Sequence, residues 1–531
     1  MELRNGAKLL VPEEDTLKVD YCPGKRRMYR AYVPKEEGIW APACYANCRD
    51  NELAALKLRT LGPTPPDPAI WPDDVLSEFK GLRVLVKVLN VDKWDIWRTA
   101  RSYDGRLRRR YLEAAHSLET DGWIDRRDYK LSAFLKSEKH NPRAKIGKPR
   151  MIFPRSPRYN LVLASYLKPL EHALWKSWRF GLGVSPTRVS AKGLNSAARA
   201  ELISAKMRGI GDCVVFEVDG KAFEAHVSAR QLGLESSVYK AAFRGDAELA
   251  SLLKVQRVLK GRTSAGVRFE RSGGRASGDF NTGMGNTILM GCFVSVALRR
   301  FAFENPGVRC TLLADGDNAL VFVSSRWADR LRSSFANRIS SICGHEMTVE
   351  DPTDVLEKVV FGQSQPIVTS DGLKMVRDFR KVLAGAFCGH RHYFDRTFAP
   401  RLMYEVALAE LSLARGVPVL EPYFRSCVQA LEGFKRLRDP SLFLEGHLLG
   451  VNVEHVKRPF EAISIDTRVS FESAFGVGVQ EQLDLEQRLV SGVRADLRRV
   501  ATGALWLDEV VTGEDGRSGS ETVDAWDHCF L

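Results

Sequence analysis

Two short segments of this 531-residue chain set acids at the ends of apolar runs, a pattern suited to holding divalent cations. Val214-Val215-Phe216-Glu217-Val218-Asp219 reads as a buried strand ending in a carboxylate, and Gly220 turns the chain toward Phe223, Glu224 and His226. The segment from Thr311 to Val323 places Asp315-Gly316-Asp317-Asn318 between two apolar runs, which predicts a β-hairpin with an acidic tip. Singly, each has a plain structural reading: Asp219 as a helix N-cap, Asp-Gly and Gly-Asp-Asn as ordinary turns. Together, two strand-tip carboxylates could hold two cations about 4 Å apart, as needed to stabilise attacking and leaving oxygens in phosphoryl transfer. Asp315 and Asn318 flank the tip.

Between them lies Ser277-Gly278-Asp279-Phe280-Asn281-Thr282-Gly283-Met284-Gly285-Asn286-Thr287, preceded by Gly273 and Gly274. The run after Thr282 is apolar and helical in spacing, so Thr282 and Asn286 share a face that could read a ribose. A glycine-rich loop capping a helix accounts for the same residues. Upstream, Lys145 to Arg158 repeats cations through a proline-stiffened stretch that cannot be helix. In extended chain Lys148 and Arg150 point one way, with Ile152 behind them, and suit a triphosphate. A solvated basic loop is the plainer alternative.

Such residues need a scaffold, and the chain exceeds the length of one ordinary core. With 44% hydrophobic and 27% charged residues it reads as globular. Its longest near-apolar run, Thr287 to Leu298, fits a buried helix rather than a bilayer span, and the acids in the opening MELRNGAKLLVPEED argue against a signal peptide, so a cytosolic setting is expected. The net charge of +13 suits a phosphate polyanion. Arg106, Arg108, Arg109 and Arg110 form one basic patch; another spreads from Lys136 through Arg158. Ten scattered cysteines read as free thiols, and neither Cys44 with Cys48 nor Cys388 with His390 and His392 has the further ligands of a zinc site. The coarse plan is an irregular basic N-terminal third, an α/β centre over 211–370, and helical segments such as Leu402 to Ala414 and Tyr423 to Arg436. Asp508 to Asp527, Gly/Ser-rich and acidic, reads as a solvated tail.

In order and wording these segments resemble motifs F, A, B and C of viral RNA-dependent RNA polymerases, specifically those of tombusviruses and umbraviruses. KPRMIFPRSPRYN (148–160), continuing to SYLKPLEHALWK (165–176), is similar to the motif F region, and Lys192-Gly193-Leu194-Asn195 follows as it does there. EVDGKAFEAHVS (217–228) resembles motif A, SGDFNTGMGNT (277–287) motif B, and Phe361-Gly362-Gln363-Ser364-Gln365-Pro366 motif E. The resemblance covers roughly residues 130–385. It implies an α/β (α+β) right-hand fold with closed fingers, palm and helical thumb. The N-terminal region and fingers would occupy 1–210, the palm 211–230 and 276–372, a fingers insertion 231–275, the thumb 373–507 and the acidic tail 508–531. It also implies RNA-templated RNA synthesis from ribonucleoside triphosphates, replicating a positive-strand viral genome.

Carried over by residue, the resemblance gives Asp219 and Asp317 two Mg²⁺ ions, with Mn²⁺ as an alternative, and brings Asp315 and Asn318 into the candidate metal set. Lys148 and Arg150 would hold the triphosphate; Glu224, Thr282 and Asn286 would select the ribose 2′-hydroxyl. Lys136, Lys139, Arg155, Arg158, Ser277 and Gly278 would contact template and nascent RNA, and Lys358 is a candidate proton donor to pyrophosphate. Two residues depart from the pattern. Glu224 stands where Asp is usual, and Asn318 replaces the second Asp of Gly-Asp-Asp, so the site loses a charge and holds hard cations less firmly, unless Asp315 compensates. Asn318→Asp is therefore expected to shift metal preference. Gly-Asp-Asn is usual in the umbra-like viruses of fungi, the mycotombusvirus-like group, which favours an active enzyme over an RNA-binding scaffold. A reverse transcriptase shares the palm but would carry a bulky aromatic gate, against which Glu224 and Asn286 argue. Relatives replicate on membranes in the host cytoplasm, so an accessory viral protein is expected to supply the tether.

Overall fold

A four-stranded antiparallel sheet holds the middle of the molecule, in the order Cys310–Asp315, Asn318–Ser324, Cys213–Gly220, Met347–Val349. The computed structural model describes residues 3–12, 28–45, 48–141, 148–389, 392, 393, 395, 397–497, 499 and 510–511. Both faces of the sheet are covered by helices, which explains why its strands read as apolar runs rather than alternating patterns. Phe216, Val218, Leu312 and Val321 join the largest core cluster, beside Ile288 and Phe293 of helix Thr282–Glu304 and Phe335 of helix Ser325–Cys343. On the opposite face Val215, Leu313, Leu320 and Phe322 pack with Ile203 and Met207 of helix Ser196–Ile210. The class is the expected α/β (α+β) one. The Thr282–Glu304 helix is longer than the apolar run seen in the sequence, and by length and composition it could cross a membrane. Here 78% of its most apolar window is buried, so it serves as a core helix.

A second sheet of five strands runs Lys8–Leu10, Arg268–Ser272, Val258–Thr263, Leu131–Leu135, Met151–Ile152. It gathers the chain start, the basic segment and the stretch before Ser277 into one unit. The N-terminal third is more regular than expected, with helices Asp73–Leu89, Gly105–Thr120 and Pro157–Ser177. In the second of these, buried Tyr111, Ala114, Ala115 and Leu118 recur at helical spacing beneath the exposed arginines at 106–110 that mask it. The third begins at Pro157, whose missing N–H costs nothing there, with Ser156 Oγ accepting from Tyr159 N at 3.0 Å. The residues just before it stay extended, as the prolines require.

Beyond residue 370, helices Ala399–Ala414, Leu420–Leu431, Ile465–Phe475 and Val479–Gly492 build a separate core cluster. The second stops at Leu431, short of the expected Arg436, because Glu432 leaves helical geometry and Gly433 takes φ +104. Strand Met28–Tyr32 reaches into this region, pairing with Phe387–Gly389 and with Val510–Val511. The expected tail thus opens with a paired strand rather than solvated chain. The rest of Asp508 to Asp527, Lys145 to Gly147 and His390 lie outside the described residues.

Candidate active site

Strand register brings the acids together. Asp219 sits directly opposite Asn318, and Asn318 opposite Asp315 across the hairpin. Gly220 N donates to Asp317 O at 3.1 Å, so the end of the central strand and the hairpin tip are bonded neighbours. Gly316 takes φ +69, the left-handed first position of a two-residue turn. Its N–H donates to Thr287 Oγ1 at 2.8 Å, pinning the tip to the long apolar helix. Burial, and then the charge of Asp317, push the Asp219 carboxyl up to about 6, against the opposing pull of Arg150 and Arg59. Asp219 is no helix cap: the short helix Phe223–His226 is capped by Ala222.

Asn318 Nδ2 donates to Glu217 Oε1 at 3.1 Å. Burial raises Glu217 to about 7, with Asp219 and Glu350 adding to the shift and Asn318 opposing it. Asp315, expected in the metal set, faces cations of the protein itself. Its two oxygens are taken by Lys192 Nζ and an Arg199 guanidinium nitrogen, each at 2.7 Å, so cations already satisfy it.

Arg150 is 3.4 Å from Glu138 Oε1, and its charge reaches both Asp219 and Glu224. Lys148 Nζ donates to Leu58 O at 3.2 Å. Glu224 pairs with Arg59, whose Nη2 donates to Oε2 at 3.2 Å; burial works to raise this carboxyl, but Arg59 prevails and holds it below the usual range. Arg59 is a site residue that the sequence did not reveal. It lies in Leu56–Thr60, between Leu58 and Thr60 and 165 positions from its partner, so no local pattern marks it. Asn286 Oδ1 accepts from Arg275 Nε at 2.9 Å. Arg275 lies two residues before Ser277, but its partner Glu235 is 40 positions away, so nothing local in the sequence marks the pairing. Thr282, by contrast, is engaged within its own loop. Its hydroxyl bonds Ala276 O and Asp279 O at 3.1 and 2.9 Å, closing its own loop.

The expected RNA contacts divide. Arg155 is buried in an ion pair with Asp279 and also donates to Val255 O at 3.1 Å. Arg158 donates to Ser117 Oγ at 2.7 Å and to Gly122 O at 2.6 Å, and pairs with Asp128. Both are internal staples, a correction to the expectation that they meet RNA. Lys139 Nζ bonds Gly385 O and Glu445 at 2.8 and 2.6 Å, while the half-exposed Lys136 pairs with Glu138. Ser277 O accepts from Phe153 N at 2.7 Å, and exposed Gly278 lies where a Cβ would come within 2.9 Å of Pro154 N. The loop thus lies flat on the basic segment. Lys358 lines a cavity of about 710 Å³ together with Glu217 and Glu350. Cys44 and Cys388 share a small buried cluster, and among the described residues no group of three His, Cys, Asp or Glu is placed to hold a metal.

A family profile described as viral RNA dependent RNA polymerase matches residues 62–494. The chain is 32% identical over 414 residues to the RNA-directed RNA polymerase of Carnation mottle virus, covering 76% of this chain and 52% of that protein. It is 33% identical over 395 residues to that of Turnip crinkle virus, covering 72% and 49%. It is 34% identical over 341 residues to that of Red clover necrotic mosaic virus, covering 63% and 43%. The chain therefore spans about half the length of these relatives.

Proposed function

The chain belongs to the viral RNA-dependent RNA polymerase family, and from that premise we propose that it copies an RNA template into RNA from ribonucleoside triphosphates. The observation that carries this reading is the bonded adjacency of Asp219 and Asp317, two acids 98 positions apart (317 less 219) joined through strand pairing. The donor set suits divalent cations: two strand-end carboxylates stand on bonded neighbouring segments, and the charge of Asp317 joins burial in pushing the Asp219 carboxyl up against the pull of Arg150 and Arg59. Asp219 and Asp317 would hold two Mg²⁺ or Mn²⁺ ions, which when bound acidify the primer 3′-hydroxyl and steady the leaving pyrophosphate. Arg150, Lys148 and Arg59 ring the site with positive charge for the triphosphate. Glu224 and Asn286 address the ribose.

On this reading the fingers take residues 1–210 and 231–275, the palm 211–230 and 276–372, and the thumb 373–507. The Gly316-Asp317-Asn318 tip supports kinship with the umbra-like viruses of fungi. Replication in the host cytoplasm, with a viral partner supplying any membrane tether, follows from the same kinship. The test is primer extension by the purified chain on a synthetic RNA, with labelled ribonucleotides or deoxyribonucleotides and Mg²⁺ or Mn²⁺. Ribonucleotide product should fall on the order of 100-fold or more in Asp317→Ala, the several kcal/mol that a metal site supplies. RNA binding without product under either metal would identify a scaffold; efficient deoxyribonucleotide incorporation would identify a reverse transcriptase.

A further inference from the structure

We propose that Arg275, held by Glu235, fixes which way the Asn286 amide faces and so acts as a positioning residue for ribose selection. The inference rests on the reading of Glu224 and Asn286 as the ribose contact. Arg275 and Glu235 are 2% and 1% exposed, and the guanidinium meets the carboxylate at 3.1 Å through Nη1 and 2.5 Å through Nη2. Its third nitrogen, Nε, donates to Asn286 Oδ1 at 2.9 Å, while its backbone N–H donates to Glu224 O at 2.9 Å. One residue thus touches both halves of the ribose contact.

A guanidinium has donors and no acceptor, so the atom of Asn286 that faces it must be the oxygen. Chemistry therefore sets the amide orientation. Nδ2 turns the other way. Among the described residues no protein group accepts from it, which leaves it as the donor that Asn286 can present. An ionised Glu224 offers only acceptors, and Asn286 held in this way offers a donor. A 2′-hydroxyl, donor and acceptor at once, satisfies both; a 2′-hydrogen satisfies neither.

The support beneath is rigid. Glu235 Oε1 also accepts from Tyr239 Oη at 2.8 Å and Asn281 Nδ2 at 2.9 Å. Gly285 passes directly over the ion pair: a Cβ there would overlap the Glu235 carboxylate and come within 2.7 Å of Arg275 Nη2. The start of the long helix therefore rests on the pair, which leaves Asn286 little room to swing.

The test is the ratio of kcat/KM for CTP to that for dCTP on one RNA primer-template, with Tm measured alongside, for the full chain carrying Asn286→Asp, Arg275→Lys or Glu235→Gln. Asn286→Asp can still accept from Arg275 but presents no donor, and the ratio should fall about tenfold. Arg275→Lys and Glu235→Gln should lower the ratio by a similar factor, through a loss concentrated in CTP. A merely structural role would slow both nucleotides alike and leave the ratio where it was. A ratio preserved in Arg275→Lys and Glu235→Gln, but lowered in Asn286→Asp, overturns the inference and leaves the ribose reading standing. A ratio unmoved by Asn286→Asp removes the ribose reading, and the inference with it. Glu235→Gln keeps the side-chain volume, so it decides the matter if Arg275→Lys does not fold.

Discussion

Asn318 stands opposite one carboxylate and bonds another, and its neutrality suits that position. Changing it to Asp would exchange a donor for an anion beside Glu217, and above pH 7, where Glu217 is ionised, like charges on neighbouring strands repel by up to roughly 1 kcal/mol, or about fivefold in a rate. Asn318→Asp alone is therefore expected to slow RNA synthesis about fivefold in Mg²⁺, rather than simply change which metal is preferred. Adding Glu217→Gln should restore most of the rate, since its amide can donate to the new carboxylate. Primer-extension rates for the single and double variants check this; equal rates would disconnect Glu217 from the hairpin tip. The raised Asp219 carboxyl makes a second prediction. Below about pH 6 protons compete with metal for it, so the apparent metal requirement should climb toward tenfold per pH unit as pH falls, with added Mg²⁺ rescuing activity. In the metal-free protein the same shift disfavours the ionised form relative to the unfolded chain. That penalty is present above pH 6 and disappears as pH falls through 6 toward the ordinary carboxylate range.

The long apolar helix Thr282–Glu304 carries the loop at one end and supports the hairpin, so its packing decides where both sit. Gly291 is a contact point: a Cβ there would overlap the buried Trp178 ring, which is 5% exposed. Gly291→Ala gains about 1 kcal/mol of helix propensity but forces a well-packed indole to move, at about 1–3 kcal/mol. A lower Tm is expected in thermal unfolding; a higher one would mean the ring has room to give. This helix, the central strand and the hairpin were legible in the sequence because each writes its pattern locally, in apolar periodicity and turn residues. Arg155, Arg158, Thr282 and Asp315 were not. A cation or hydroxyl in a loop reads the same whether it faces RNA or a partner far along the chain, and only the fold shows Asp279 against Arg155 or Lys192 against Asp315.

At the scale of the whole molecule, the N-terminal and C-terminal parts are stitched together around an opening. Strand Met28–Tyr32 pairs with Phe387–Gly389, Lys139 bonds Gly385 and Glu445, and Gly105, at φ +59, lies where a Cβ would be 2.5 Å from Ser441 O. These bridges enclose a cavity of about 990 Å³ whose lining includes Arg106, Arg110, Lys139, Arg377 and Lys381. Glu410 and Glu445 in the same lining pair with Arg377 and Lys139, so it is the exposed Arg106 and Arg110 that can meet a phosphate backbone in a way that Arg155 cannot. The two kinds of arginine should therefore separate cleanly. Arg155→Ala strands a buried Asp279, a loss of about 3–5 kcal/mol, and should appear as a lowered Tm with activity falling in step. Arg106→Ala and Arg110→Ala should leave Tm in place while each lowers the slope of log affinity against log salt by about 1, as expected when one phosphate contact is removed. Fluorescence anisotropy with labelled RNA across a salt titration, paired with thermal melts, measures both. An unchanged salt slope in the Arg106→Ala/Arg110→Ala pair would mean that RNA runs elsewhere on the molecule.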